Sequence, residues 1–128
     1  MFDLVKLLEI PPFSLNKSEK SDLYISAMQS LTSFHFNNCK PYQKLLFNLG
    51  FDSGHSCPIE GYPFLPVRLF KDYELVSVDR SEILKTMTSS GTSDQRVSKI
   101  FLDRETATNQ TKVLTKIVSN LIGGKRLP

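Results

Sequence analysis

A serine- and threonine-rich turn between two strand-like runs is the feature that most constrains the fold of this chain. Apolar and polar residues alternate in Ile83–Thr88 and again in residues 96–102, a pattern typical of paired strands. The turn between them contains Ser89, Ser90, Gly91, Thr92, Ser93 and Asp94. Asp103 is a good helix N-cap, and the apolar residues after it recur at helical spacing: Ala107, Leu114, Ile117, Val118 and Leu121. The pattern predicts a β-hairpin followed by a helix that ends at Gly123 and Gly124.

The N-terminal half of the chain has helical periodicity. Pro11 and Pro12 interrupt the opening apolar run, and a helix is predicted to begin near Ser18 or Ser21. Its apolar stripe consists of Leu23, Ala27, Met28, Leu31 and Phe34. A shorter helix is predicted over residues 41–49, closed by Gly50. Its expected buried face consists of Leu45, Leu46 and Leu49.

The middle of the chain is rich in proline, glycine and aromatic residues. Residues 52–72 are too apolar for a flexible linker, which predicts an ordered loop held to the core by Tyr62, Phe64 and Phe70. A short strand is predicted over residues 73–78. Helices that precede a hairpin and a final helix indicate an α+β protein.

Composition excludes several classes of protein. A length of 128 residues fits one domain, and a formal net charge of +3 with scattered lysines and arginines predicts no nucleic-acid partner. No apolar run is long enough to span a membrane, and the first residues make a poor signal peptide. Two cysteines predict a reduced, cytoplasmic protein rather than a disulfide framework.

The serine-rich turn has the chemistry of an oxyanion site. Gly91 permits a tight turn, successive backbone N–H groups can form a concave anion site, and serine and threonine hydroxyls donate to phosphate oxygens. The turn contains neither a Walker A motif nor a Gly-x-Gly-x-x-Gly motif. Composition by itself favours an ordinary hairpin turn, because serine, glycine and aspartate are common turn residues.

Two sequence motifs, which occur in the order expected for a known enzyme family, resemble that family. Residues 88–93, Thr-Ser-Ser-Gly-Thr-Ser, resemble the T/S-S-G-T-T-G phosphate loop of adenylate-forming enzymes. Residues 63–71 resemble the proline-aromatic segment of the LuxE-type acyl-protein synthetases, which activate fatty acids in bacterial luminescence systems. Ser98, Ile100 and residues 102–104 are similar to the positions that follow the loop in that family. The resemblance covers residues 39–128.

This resemblance implies an ATP-dependent ligase. A fatty carboxylate would attack the α-phosphate of MgATP to give an acyl-adenylate, and a protein thiol would then take the acyl group. The phosphate-binding residues would be Ser89, Ser90, Gly91, Thr92 and Ser93, with Lys99 or Arg96 as the cation. ATP and Mg²⁺ are the implied cofactors, and the implied partners are a fatty acid and an acceptor thiol or acyl reductase.

Three departures from the family accompany the resemblance. The lysine that commonly follows the loop in acyl-CoA synthetases is not aligned here, because Lys99 comes two positions late. Asp94 stands in place of the second glycine of the motif, and its carboxylate would repel a triphosphate. The family's enzymes are several hundred residues long, so residues 1–128 are expected to be the N-terminal part of an adenylate-forming domain, inactive on their own. Apolar faces left uncovered in such a piece predict self-association.

The sequence also permits other interpretations. His35, Cys39, His55 and Cys57 could form a small zinc site, although a buried pair of cysteines with two surface or capping histidines is the favoured explanation. The acidic residues before the hairpin suit a solvated surface better than acid–base chemistry or Mg²⁺ ligation: Asp72, Glu74, Asp79 and Glu82. A non-catalytic binding module that keeps only the front of the fold is the main alternative function. No catalytic residue is predicted.

Overall fold

Five helices and one two-stranded antiparallel sheet form the regular structure of the described residues. The structure, a computed structural model, describes residues 4–55, 57–90 and 96–123. The helices are α1 (Leu4–Glu9), α2 (Lys17–Asn38), α3 (Lys40–Asn48), α4 (Leu69–Asp72) and α5 (Arg104–Ile122), and the strands are β1 (Ile83–Thr88) and β2 (Lys99–Asp103). Single 3₁₀ turns lie at Ile59–Gly61 and Arg80–Glu82. The described residues are therefore α+β, as predicted.

Helix α2 begins slightly earlier than predicted because of a capping box. The side chain of Asn16 accepts a hydrogen bond from Glu19 N–H at 3.0 Å, and the Glu19 carboxylate accepts one from Asn16 N–H at 2.9 Å. Two of the orphan donors at the helix start are thereby satisfied, so the helix begins at Lys17 rather than at Ser18 or Ser21.

The face of α2 that is most buried is not centred on the predicted apolar stripe. Leu31 and Phe34 are 46% and 37% exposed, whereas Thr32 is only 4% exposed. The side chains of Thr32 and Tyr42 of α3 interact, so a polar contact lies within the α2–α3 interface. The stripe Leu23, Ala27 and Met28 is half-buried.

Helix α3 ends in a Schellman motif built on Gly50. Gly50 has a φ of 65° and its N–H donates to Phe47 O, while Phe51 N–H donates to Leu46 O. Leu46 is fully buried, which confirms one member of the predicted face. Leu49 is 56% exposed, so its assignment to that face is wrong: it is the C-cap, where the chain leaves the helix.

The prediction of a strand over residues 73–78 is wrong. Among the described residues only β1 and β2 pair, and residues 73–78 have no ladder. The segment is held by a side chain instead, because Ser77 Oγ lies 2.7 Å from Nδ1 of His35 on α2. Residues 75–78 are half-buried in succession, without strand pairing.

The hairpin is confirmed, and α5 packs against both of its strands. β1 has the predicted bounds, whereas β2 begins three residues later than predicted, at Lys99, and runs to Asp103. Leu102 is 7% exposed and is the buried apolar residue of the sheet. A register irregularity lies between Ile83 and Lys85.

Candidate functional site

The register of the hairpin brings Thr88 and Lys99 together at the end from which the turn leaves the sheet. The two residues are directly opposite each other, with Met87 opposite Ile100 in the next pair. Opposite residues of an antiparallel pair project to the same face, so the hydroxyl and the ammonium group share one side of the hairpin. Both residues are exposed. A cation and a hydroxyl side by side can bind an anionic oxygen.

Ser89 and Ser98 form the next cross-strand contact, immediately below the turn. Ser89 N–H donates to Ser98 O at 3.1 Å, and Ser98 N–H donates to Oγ of Ser89 at 3.1 Å. Ser98 is 9% exposed, so its N–H is satisfied inside the protein by the serine hydroxyl. The base of the turn is thereby tied by one backbone and one side-chain hydrogen bond.

The predicted phosphate-binding residues divide into two groups. Ser89, Ser90 and Lys99 are described, and the structure places the two serines at the start of the turn and the lysine at the first position of β2. Ser90, Lys99 and the alternative cation Arg96 are exposed. The remaining predicted members, Gly91, Thr92 and Ser93, lie outside the described residues, as does Asp94.

Asp103 connects the hairpin rigidly to α5. It is the last residue of β2 and the N-cap of α5, where its Oδ1 accepts Thr106 N–H at 2.6 Å. A carboxylate at this position satisfies an orphan N–H and interacts favourably with the positive end of the helix dipole. The N-terminus of α5 is thus occupied by the protein's own carboxylate.

The proline-aromatic segment, residues 63–71, leads into α4, which contacts β2. Leu69 N–H donates to Pro66 O at 3.0 Å, forming the turn from which α4 begins. Aromatic residues were predicted to attach this loop to the core, and the contact of Tyr62 agrees with that prediction, because its ring lies 5.6 Å from that of Phe51. The prediction is wrong for Phe64, which is 84% exposed.

The two histidines among the four zinc-ligand candidates have separate partners, and Cys39 and Cys57 are free thiols. His35 hydrogen-bonds Ser77, and its ring packs edge-on against Phe34 and Tyr42. Burial lowers the pKa of His35 below its usual value. Across residues 4–55, 57–90 and 96–123, no group of three or more histidine, cysteine or acidic side chains is arranged to hold a metal ion. The structure therefore gives the zinc interpretation no support.

His55 belongs to an exposed local motif rather than to a site. Its Nδ1 lies 2.6 Å from Oδ2 of Asp52, whose Oδ1 accepts Gly54 N–H at 2.8 Å. The Gly54 N–H, and then the hydrogen bond to His55, hold the pKa of the Asp52 carboxyl below its usual range. Both side chains are largely exposed, so the motif stabilises a surface turn.

The acidic residues before the hairpin are engaged in local structure. Asp72 pairs with Arg68 at 3.2 Å, and Glu74 pairs with Arg80. Asp79 and Glu82 form the capping box of the 3₁₀ turn that precedes β1. These contacts account for the acidic side chains without acid–base chemistry.

Two features of the structure were missed by the sequence prediction. Thr88 was part of the motif but was not assigned to the site, and the hairpin register is what places it beside Lys99. Tyr62 has a buried hydroxyl with no hydrogen-bond partner of ordinary geometry among the described residues. Burial, and then the neighbouring Cys57 thiol, raise the pKa of Tyr62. No sequence signal marks either feature, because each depends on tertiary packing.

A shallow cleft of about 290 Å³ opens between α2 and α3. Its lining is mixed: Phe36, Gln43, Lys44, Phe47 and Asn48. Phe47 is 80% exposed, so the cleft is a surface depression and lies on elements other than the hairpin.

Comparison with known proteins identifies the family. The family model for the acyl-protein synthetase LuxE matches residues 2–128, which is nearly the whole chain. The chain belongs to the LuxE acyl-protein synthetase family. No curated protein and no solved structure matched it. Within the part of the chain that the structure describes, no helix is both long and apolar enough to cross a bilayer.

Proposed function

We propose that this LuxE-family chain supplies the ATP-phosphate-binding part of an acid-activating ligase with the adenylate-forming fold. The observation that carries the proposal is the pairing of Thr88 with Lys99 at the base of a turn that begins with two serines. Hydroxyl donors next to a lysine suit the negative charge that develops on the leaving pyrophosphate. The proposed set is Ser89, Ser90, Gly91, Thr92, Ser93 and Lys99, and Ser89 belongs to it as the residue at which the turn begins.

The reaction proceeds in two steps, an adenylyl transfer to the fatty acid followed by an acyl transfer to a thiol. The carboxylate of a fatty acid attacks the α-phosphorus of ATP, the bond to the bridging oxygen of pyrophosphate breaks, and an acyl-adenylate forms. A protein thiolate then attacks the acyl carbon and AMP leaves, giving a thioester. Lys99 and the turn hydroxyls bind and orient the β- and γ-phosphates in this scheme, which lowers the energy of the departing pyrophosphate. The acceptor is a protein thiol or an acyl reductase.

Mg²⁺ fits this set if the phosphates and water supply most of its ligands, rather than protein side chains. The described end of the hairpin offers hydroxyls and a lysine, not a cluster of carboxylates. Mg²⁺ is commonly held by substrate phosphates and water with few protein ligands, and when bound it neutralises phosphate charge. The protein's own contribution at this end is therefore hydrogen bonding and one positive charge.

The decisive measurement is isotope exchange between pyrophosphate and ATP with a panel of fatty acids, made on the whole natural protein that contains residues 1–128. Exchange that requires both ATP and an acid supports acyl-adenylate formation. Lys99→Met is expected to lower exchange at least tenfold, whereas Lys112→Met, which removes the same charge from an exposed position on α5, is expected to leave it unchanged. Equal effects of the two substitutions would count against the site.

A non-catalytic binding module is the second candidate, and Asp94 is the observation that favours it. A carboxylate in the place of the motif's second glycine opposes a triphosphate by charge repulsion. Titration with ATP·Mg²⁺ shows whether the turn binds phosphate at all, which both functions require. Asp94→Gly is expected to tighten binding about tenfold if the turn binds phosphate. Binding without pyrophosphate exchange, with every acid tried, identifies the non-catalytic module.

A further inference from the structure

The cross-strand pair Ser89–Ser98 departs from a regular antiparallel ladder. In a regular hydrogen-bonded pair the two residues exchange N–H···O=C bonds in both directions. Here Ser89 N–H donates to Ser98 O, but Ser98 N–H donates to the side-chain oxygen of Ser89. The serine hydroxyl thus takes the place of the serine carbonyl as acceptor, and the ladder ends at this pair.

The change of acceptor from the Ser89 carbonyl to its hydroxyl sets the point at which the backbone leaves the sheet. Since the side chain satisfies Ser98 N–H, the carbonyl of Ser89 is released from the ladder and the chain can turn away directly after Ser89. Ser98 is 9% exposed, so its N–H would be left unsatisfied in the interior if the hydroxyl were removed. A serine or threonine can provide this short-range acceptor, whereas alanine cannot.

We infer that Ser89 is a positioning residue that fixes the start of the nucleotide-binding turn through Ser98; this inference rests on the function proposed above. Its backbone N–H is committed to Ser98 O, so that N–H does not point to a phosphate. Its hydroxyl oxygen is oriented by the hydrogen bond from Ser98 N–H. Ser90, exposed and next in the chain, is by contrast placed to contact the ligand directly.

Amide hydrogen exchange by NMR on the full chain tests the hydrogen bond without any ligand. Ser89→Ala is expected to speed the exchange of Ser98 N–H about tenfold or more, because the acceptor is lost. Ser89→Thr retains a hydroxyl and is expected to keep the protection near that of the unmodified chain. Ser90→Ala, the matched control at the neighbouring serine, is expected to leave Ser98 N–H protected. Unchanged exchange in Ser89→Ala would overturn the inference.

Titration of ATP·Mg²⁺ with the same variants tests the positioning role. Ser89→Ala is expected to weaken binding about tenfold, and Ser89→Thr to restore it. Ser90→Ala is expected to weaken binding while Ser98 stays protected, which separates a ligand contact from a positioning residue. Loss of Ser98 protection with unchanged ATP affinity would overturn the positioning role. Absence of ATP binding by the unmodified chain would overturn the nucleotide site and the positioning role with it, while the exchange data would still establish the hydrogen bond.

Discussion

The ammonium group of Lys116, on α5, donates a hydrogen bond to the backbone carbonyl of Ile10 at 3.1 Å. It donates a second to the carbonyl of Leu8, in the last turn of α1. The last carbonyls of a helix have no partner within it and carry the negative end of the helix dipole, so a cation there is favourable. One lysine on the final helix therefore holds the first helix in place.

Lys116→Met is expected to lower the free energy of unfolding by about 1–3 kcal/mol, because it removes charge-assisted hydrogen bonds from a half-buried position. Chemical denaturation followed by circular dichroism measures this. Lys112→Met on the same helix is exposed and is expected to change stability by less than about 0.5 kcal/mol. Equal losses in the two variants would show that Lys116 does not anchor α1.

Leu46→Ala is expected to be among the most destabilising single changes, at about 2–5 kcal/mol, because Leu46 is fully buried and its truncation leaves a cavity. Phe47→Ala, one position later and 80% exposed, is expected to cost less than about 0.5 kcal/mol. Urea denaturation of the pair measures the difference. A larger loss for Phe47 than for Leu46 would contradict the packing of α3.

Asp103→Ala is expected to destabilise the protein by about 0.5–2 kcal/mol, since Thr106 N–H at the start of α5 loses its acceptor. Asp103→Asn keeps a capping oxygen and is expected to retain most of the stability. Thermal melting reports both. An asparagine variant as unstable as the alanine variant would show that charge, not the cap hydrogen bond, is the main contribution.

His35 makes stability depend on pH. Burial lowers its pKa in the folded protein, so between that lowered value and the ordinary value of 6.5 the unfolded chain binds more protons than the folded one. The contribution of neutral His35 is complete above pH 6.5 and is lost as the pH falls through the folded pKa. His35→Gln is expected to flatten this part of the pH profile of denaturation midpoints. A profile with the same slope in the variant would exclude His35 as the source.

The outer face of α5 is expected to drive self-association. Five apolar side chains along it are exposed to between 36% and 70%: Leu114, Ile117, Val118, Leu121 and Ile122. A contiguous apolar patch of this kind favours contact with a second copy, and between Glu105 and Ile122 the only charges on the helix are Lys112 and Lys116. Leu114→Gln with Leu121→Gln is expected to shift the sedimentation profile towards monomer. Phe64→Gln, which removes a more exposed apolar residue elsewhere, serves as the control.

Short-range features were predictable from the residues themselves. The cap at Asp103 and the helix ends at Gly50 and Gly123 depend on contacts within five residues and on a positive φ that glycine adopts freely. The bounds of β1 were likewise predictable from alternation. The prediction of a strand over residues 73–78 was wrong, because a short segment rich in apolar residues can be half-buried against the protein without pairing in a sheet.

The amino-acid order alone determined the N-cap of α5, the ends of α3 and α5 at glycines, the hairpin, the family motifs and the hydroxyl-rich character of the turn, since each arises from neighbours along the chain. Only the tertiary structure decided that Thr32 is buried while Phe34 is partly exposed, that Thr88 lies beside Lys99, and that His35 contacts Ser77. These choices depend on which faces pack and on strand register, and burial enforces them through contacts between residues far apart in the chain.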